Sequence, residues 1–590
     1  MKLPLKKYLK LLVNYLRPQS RRTLLMGLLL LTSIGLQLAN PQVLRYFIDT
    51  ATGGGTAPSL MVAALLFIGI ALTNQAVSIY ARYLSENVAW TATNQLRTDL
   101  VAHCLTLDMA YHKEHTSGEL IERIDGDVNV LSNFFSKFVV YLLGNVILMV
   151  GVLLLLFQID WRVGLAVSIF AFLALFTLVR IRGRAVPYWV AERQMNAHFY
   201  GFLSEQLAGT EDIRGNGATG YVMRRFHQLL HNWYPVSRRA SLGFYAMGMT
   251  TLTLFAIGNA LAFALGAYLW SIGKISLGTV YIIFYYTNLL TQPIEQIRTQ
   301  LQDLQKAGAS IQRVEELLLI RPTIADGSGT PLLDGALSVE FRNVTFGYSE
   351  DNAILRDISF GLQAGKVLGV LGRTGSGKTT LARLLLRLYD YQEGEICVGG
   401  VPIGQPDFST LRRRVGMVTQ DVQLFHASVR DNLTFFNRDI PDARIIEVLD
   451  DLGLATWYRS LPSGLDTELG SDGEGLSAGE AQLLAFTRVF LANPGLVILD
   501  EASSRLDPAT EHLIEQAVSK LLRGRTGIVI AHRLGTIQRV DEILILEDGH
   551  ILEHGSRETL AANPATRFYS LLQTGLEGQS SYTSGNEVRA

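Results

Sequence analysis

The sequence predicts a multidomain membrane protein: an all-α domain of six membrane-crossing helices, followed by an α/β domain on a largely parallel sheet. Three observations carry this reading. Six stretches, approximately 23–44, 59–81, 137–158, 161–181, 243–270 and 275–294, are apolar over lengths near the roughly 20 residues a helix needs to cross a bilayer. Their interiors hold almost no Asp, Glu, Lys or Arg, and they lack the polar face of soluble core helices. From about residue 336, short β-branched runs alternate with helical segments, the pattern of parallel strands joined by crossover helices. Between one such strand and helix stands the glycine-rich loop GRTGSGKT, residues 372–379.

Bulk properties agree. A chain of 590 residues is long for one domain. Hydrophobic residues make up 48%, and the mean hydropathy of +0.22 is high for a soluble chain of this size. The net charge of −1 hides an asymmetry, since residues 1–22 carry seven Lys or Arg and no Asp or Glu. That basic start leads into a long apolar run with no small-residue cleavage site, so the run reads as a membrane helix rather than a removable signal. Two cysteines, Cys104 and Cys397, supply neither a disulfide framework nor a CxxC metal motif.

The spacing of the apolar stretches carries the topology. The connections after the first, third and fifth are short (45–58, Gln158–Asp160 and Ser271–Lys274), whereas those after the second and fourth run to about 55–60 residues. The basic N-terminus places that end in the cytoplasm by the positive-inside rule, and both long connections then fall on the same side. They are charged with helical spacing, so they read as membrane helices continuing into water. Turns are expected at HTSGE (115–119) and within LAGTEDIRGNG (207–217). After the sixth stretch comes an amphipathic exit helix, then a linker rich in Pro and Gly, RPTIADGSGTPLLDG. The polar end, EGQSSYTSGNEVRA among it, has the composition of a disordered tail.

GRTGSGKT follows the strand KVLGVL and precedes the helix TTLARLLLRLY, the context that G-x-x-x-x-G-K-[ST] demands. The residue types suit phosphate. Gly375 and Gly377 let the loop wrap until its backbone N–H groups converge, and the helix adds its positive N-terminal end. Lys378 supplies a point charge to β- and γ-phosphates, and the Thr379 hydroxyl suits Mg²⁺. Downstream, the apolar strand LVILDE ends in two carboxylates. Asp500 sits where a P-loop NTPase holds its metal, and Glu501 where a carboxylate orients and deprotonates the attacking water.

Here the chain resembles the ATP-binding cassette (ABC) exporters that carry the membrane domain at the N-terminus. The resemblance rests on further motifs in order: VTFGY with Tyr348, VTQDVQLF with Gln420, TELGSDGEG (467–475), LSAGE (476–480), SSRLD (503–507) and VIAHRL with His532. It implies that Tyr348 stacks on adenine, that Gln420 contacts Mg²⁺ and faces the membrane domain, and that His532 is the switch histidine. It also implies that Ser477 and Gly479 contact the γ-phosphate held by another chain. The implied catalytic residues are Glu501, His532 and Lys378, and the metal set is Thr379, Gln420 and Asp500. The implied ATP-binding set is Tyr348, Gly372, Arg373, Thr374, Gly375, Ser376, Gly377, Lys378, Thr379, Thr380, Gln420, Ser477, Gly479 and Asp507. The turns at HTSGE and GTEDIR stand in the positions of coupling helices.

The resemblance thus implies an α/β P-loop NTPase domain with an ABC signature subdomain. The expected organisation is a cytoplasmic basic N-terminus (1–22), a transmembrane domain (23–310), a linker (311–335), a nucleotide-binding domain (336–575) and a tail (576–590). ATP and Mg²⁺ are the implied cofactors, and a plasma or inner membrane with a cytoplasmic ATPase domain is the implied location. One phosphate loop and one signature per chain imply a second half-transporter as partner. The signature departs from the family, with Ala478 where Gly is usual, Glu480 where Gln is common and Ala481 where a basic residue often follows. These departures favour a heterodimer over a homodimer. The uncharged polar residues of the spans (Gln37, Asn40, Asn74, Gln75, Asn145, Asn259, Asn288 and Gln292) are expected either to bond neighbouring helices or to line a path for a hydrophobic or amphipathic compound, lipid or peptide. An importer half and an ATP-gated channel are the rival readings. The six apolar spans exclude a soluble cassette ATPase of DNA repair or translation, and no nucleic-acid partner is expected.

Overall fold

The computed structural model describes residues 13–133, 143–349, 352–470, 476–500, 508–531 and 537–573. It divides into two compact units. One comprises Met1–Thr106 with Thr116–Ile320, and the other Leu107–His115 with Arg321–Ala590.

The first unit is helical. Its main elements are α1 (Ser20–Thr52), α2 (Ala57–Thr106), α3 (Gly144–Ile159), α4 (Trp161–Ala208), the short α5 (Thr210–Gly215), α6 (Thr219–Ser271), α7 (Leu277–Leu289) and α8 (Thr291–Leu319). Among the described residues, four helices are long and apolar enough to cross a membrane: Val13–Thr52, Ala57–Thr106, Trp161–Ala208 and Thr219–Ser271; Gly144–Ile159 is a shorter apolar helix. The second, fourth and fifth stretches do continue as single helices of 50, 48 and 53 residues. The sixth differs from expectation, because it is split at Leu290 into α7 and α8. Pro293 accounts for the split. It has no N–H for the carbonyl four residues earlier, at Leu289, and its ring crowds that carbonyl. The third stretch begins among residues 134–142, outside the described residues. The break expected at HTSGE is present: the short helix Met109–Glu114 ends there, His115 and Thr116 are extended, and a second short helix, Ser117–Ile121, starts with Thr116 as its cap, while α5 coincides with the second expected turn.

The apolar core of this unit joins α3, α4, α6 and α7 through residues such as Val152, Val167, Leu178, Ala262 and Ile283, all fully or nearly fully buried. Small residues set the approach of the backbones. A Cβ at Gly258 would collide with the ring of Phe170, and one at Gly266 would stand 2.9 Å from Val280 Cγ1. Several polar residues of the spans bond one another, as Ser33 donates to Asn74 at 2.8 Å, Gln37 to Ser33 at 3.2 Å and Asn259 to Asn288 at 3.1 Å. Near Pro41, which interrupts the α1 ladder, the Tyr286 hydroxyl donates to the Leu38 carbonyl at 2.7 Å and accepts from Gln42 at 3.0 Å. At the far end of α1, Asp49 accepts from Ser276 Oγ at 2.7 Å and the Gly278 N–H at 2.9 Å, capping the start of α7.

The second unit holds two sheets. An antiparallel one is ordered β2-β1-β4-β5, from β1 (Val339–Ser349), β2 (Asn352–Leu362), β4 (Glu393–Val398) and β5 (Val401–Pro402). The other is ordered β10-β9-β3-β8-β7-β6, from β3 (Val367–Gly372), β6 (Val415–Val418), β7 (Leu496–Asp500), β8 (Thr526–Ile530), β9 (Glu542–Glu547) and β10 (His550–Ser556). Every pairing in it is parallel except β10 with β9. β7 and β8 are buried at every position, as strands covered on both faces must be, so they read as unbroken apolar runs. The register aligns Asp500 with Ile530 and Ile530 with Val370, which brings the carboxyl ends of β3, β7 and β8 to one edge. That edge is where open α/β sheets bind ligands.

Candidate functional site

The loop from β3 to the helix α9 (Lys378–Leu385) is shaped by its glycines. Gly372, Gly375 and Gly377 have φ of 150°, 88° and 102°, the region that side chains avoid. Space forbids a side chain as well. A Cβ at Gly372 would collide with the Leu546 carbonyl oxygen, and one at Gly377 would lie 2.5 Å from Leu355 Cδ2. Gly377 is the N-cap of α9, so the free N–H groups of that helix open onto the loop.

Lys378 is only 5% exposed and folds back over the loop, where its ammonium donates to the carbonyls of Gly372 at 2.7 Å and Arg373 at 2.9 Å. Ser376 Oγ is buried and has no hydrogen-bond partner among the described residues. Beside the loop lies a cavity of about 540 Å³ lined by Tyr348, Ile354, Thr374, Gly375, Gly377, Lys378, Thr379, Thr380, Arg383, Gln420 and Asp500. A hydroxyl (Thr379), a carboxylate (Asp500) and an amide (Gln420) thus share one wall set with the lysine. This all-oxygen set suits a hard divalent cation that takes its remaining ligands from phosphate. Among the described residues, no group of three or more His, Cys, Asp or Glu could hold a metal on its own.

Tyr348 forms another wall. Its hydroxyl lies 3.2 Å from Thr380 Oγ1 and accepts from Arg383 Nη1 at 2.9 Å. Phe346 and Tyr389 pack nearly perpendicular to the ring at 5.1 and 5.0 Å. Burial, then the neighbouring Tyr348, pushes the Tyr389 phenol above its ordinary range.

The cavity therefore gathers Tyr348, Thr374, Gly375, Gly377, Lys378, Thr379, Thr380, Gln420 and Asp500. Gly372 and Arg373 line a separate cavity of about 340 Å³ with Leu371, Ala531 and Leu571. Ser477 and Gly479 stand apart, at the start of α10 (Ala478–Ala492). There Ser477 Oγ accepts from the Glu480 N–H at 3.2 Å, and the Ser477 N–H donates to Glu480 Oε2 at 2.8 Å, a capping box. Glu501, Asp507 and His532 lie outside the described residues, as do 471–475. Sequence reasoning missed Arg383 and Ile354. Arg383 follows Thr380 by three positions on α9, so helical spacing alone puts the two on one face. Ile354 on β2 reaches the cavity only through sheet packing.

The ABC transporter transmembrane region family matches residues 23–294, and the ABC transporter family matches residues 355–504. The chain is 32% identical over 512 residues to a fatty acid ABC transporter ATP-binding/permease protein of Mycobacterium tuberculosis, covering 85% of this chain and 79% of that one. It is 29% identical over 530 residues to a multidrug resistance ABC transporter ATP-binding and permease protein of Lactococcus lactis, covering 89% of each. Among solved structures, a bacterial Atm1-family ABC exporter with ATP bound superposes with a TM-score of 0.77 at 26% identity, over 95% of this chain and 98% of that one.

Proposed function

Because this chain belongs to the ABC transporter family, as an exporter half with membrane and ATPase parts in one polypeptide, we propose that it couples ATP hydrolysis to export of a hydrophobic or amphipathic compound. The observation that carries the proposal is the single cavity shared by the phosphate loop, Tyr348, Gln420 and Asp500. In it Tyr348 stacks on the base, and the loop N–H groups and Lys378 hold the phosphates. Mg²⁺ held by Thr379, Asp500 and Gln420 would offset phosphate charge. Glu501, next to Asp500 in sequence, takes a proton from the attacking water, and His532 holds the γ-phosphate. A second chain supplies Ser477- and Gly479-type contacts, so ATP closes two cassettes on each other. Closure passes by Gln420 to the short helices between membrane spans, and hydrolysis resets the pair.

The substrate class rests on two supports. The relatives are named for fatty acids and for multidrug resistance, and the polar groups bonded within the spans are uncharged amides and hydroxyls. In inside-out vesicles from cells carrying the chain, a labelled fatty acid or lipophilic dye should accumulate only with hydrolysable ATP, and not in vesicles from cells lacking it. Accumulation without ATP would mark a channel; ATP-driven depletion would mark an importer. Both outcomes reject export. The orientation proposed is cytoplasmic for both the N-terminus and the ATPase part, in the plasma or inner membrane.

Tyr348 is proposed to act by stacking. Base stacking contributes roughly 1–3 kcal/mol, so Tyr348→Ala should raise the ATP concentration for half-saturation about fivefold or more. Tyr348→Phe, losing only the Thr380 and Arg383 bonds, should change it far less. Equal effects would mean that the hydroxyl matters rather than the ring.

The second chain is proposed to be a different one. In the capping box the Glu480 carboxylate sits on the Ser477 N–H at the α10 N-terminus. That is the end at which a phosphate held by another chain would arrive. A negative charge already neutralises the helix end and repels a second anion. Gln at this position would cap without the charge. The variant signature therefore completes a slow site, and Glu501 works best facing a standard signature on a partner.

A further inference from the structure

We propose that Lys113 occupies the base-stacking face of Tyr348 and competes with nucleotide for it. The inference rests on the stacking role of Tyr348 proposed above and concerns the regulation of that same site. Lys113 Nζ stands 4.0 Å from the centre of the Tyr348 ring, well within cation–π range. The other surroundings of the ring belong to the domain itself, with Phe346 and Tyr389 packed perpendicular and the hydroxyl engaged by Thr380 and Arg383. Arg383 Cζ also stands over the ring, but at 6.0 Å from its centre, so of the two cations Lys113 is the one that fills the space a stacked base needs. A stacked base would lie about 3.5 Å above the ring by van der Waals contact. A base and the ammonium cannot share that volume.

Lys113 does not arrive there by chance of a mobile surface chain. It lies in the last turn of the short helix Met109–Glu114, in the segment Leu107–His115 that belongs with the second unit. The start of that segment is pinned independently. Leu107 is buried, and Asp108 Oδ2 accepts from both the Thr323 N–H at 2.6 Å and the Thr323 hydroxyl at 2.7 Å. The segment is thus held at two points, one permanent (Asp108) and one that nucleotide must displace (Lys113). Because the segment is the covalent continuation of α2, base occupancy and attachment of this stretch of chain become linked equilibria. Each disfavours the other by the same factor.

An exposed cation–π contact corresponds to roughly a two- to fivefold change in an equilibrium constant. In the full-length chain in nanodiscs, with EDTA to prevent hydrolysis, Lys113→Ala should tighten equilibrium binding of ATP by that factor. ADP should tighten equally, since it carries the same base. Lys113→Arg, which preserves the cation over the ring, should bind as the unmodified chain does. In a Tyr348→Leu background, Lys113→Ala should have no effect. Weaker or unchanged ATP binding in Lys113→Ala overturns the proposal. So does a change for ATP without one for ADP, which would place the ammonium on the γ-phosphate. If Tyr348→Leu alone binds ATP as tightly as the unmodified chain, the stacking reading itself has failed and the proposal falls with it.

Discussion

Lys378→Ala should reduce ATP hydrolysis by at least about 100-fold while leaving the chain in the membrane. The lysine is buried and already oriented, with its ammonium held by the Gly372 and Arg373 carbonyls at 2.7 and 2.9 Å. Its charge is thus placed before nucleotide arrives, and a preorganised donor of this kind typically accounts for 10²–10³ in rate. The carbonyls left behind are backbone groups at the loop surface that water can solvate, so the fold of the domain survives. Lys378→Arg is also expected to fail, because a planar fork does not fit a niche in which the lysine is 5% exposed. Phosphate release by the purified variant, beside its recovery in the membrane fraction, checks both points. Undiminished hydrolysis would remove the phosphate-loop assignment.

Glu501→Gln in this chain alone should nearly stop hydrolysis by the complete transporter. On the proposed pairing, each ATP site joins the loop of one chain to the signature of the other, so Glu501 and the variant signature would serve different sites. With Glu501 as the proposed general base of the fast site, its loss should cost about 10²–10⁴ in rate. Ala478→Gly should change hydrolysis little, and Glu480→Gln should raise turnover at the slow site by removing the charge at the α10 N-terminus. The chain purified without a partner should hydrolyse ATP poorly. A stable homodimer with full, substrate-stimulated activity would show the heterodimer proposal to be wrong.

Residues whose roles depend on neighbours in sequence were legible from sequence. The loop after β3 is one case, since Gly375 and Gly377 must adopt positive φ for the backbone to wrap, whatever packs around them. The unbroken apolar runs of β7 and β8 are another. The split of the sixth span at Leu290 was encoded in Pro293, but an average over hydropathy does not see a missing N–H. The antiparallel sheet of β1, β2, β4 and β5 was harder, because its pairings, such as Phe341 with Ile396, join positions far apart in the chain. The same applies to Lys113 over Tyr348, which no spacing rule connects. At the signature, the letters Ala478 and Glu480 mark a variant, and the capping box of Ser477 with Glu480 shows where the variant's charge sits.

The bonds that α1 makes with α7 have a mechanical consequence. They occur at two heights, at Asp49 with Ser276 and Gly278, and again at Tyr286 beside Pro41. Two separated fastenings resist both sliding and swivelling, so the stretch of α1 from Leu38 to Asp49 and α7 act as one strut. Within lipid there is no water to replace a broken bond, and each interhelical bond contributes roughly 0.6–2 kcal/mol. Pro41 makes α1 most compliant at the lower fastening, since the backbone ladder there is already missing a rung. A cycle that reshapes the membrane domain will therefore bend α1 below Tyr286 rather than part it from α7. The strut keeps its shape while the part of α1 before Pro41 swings.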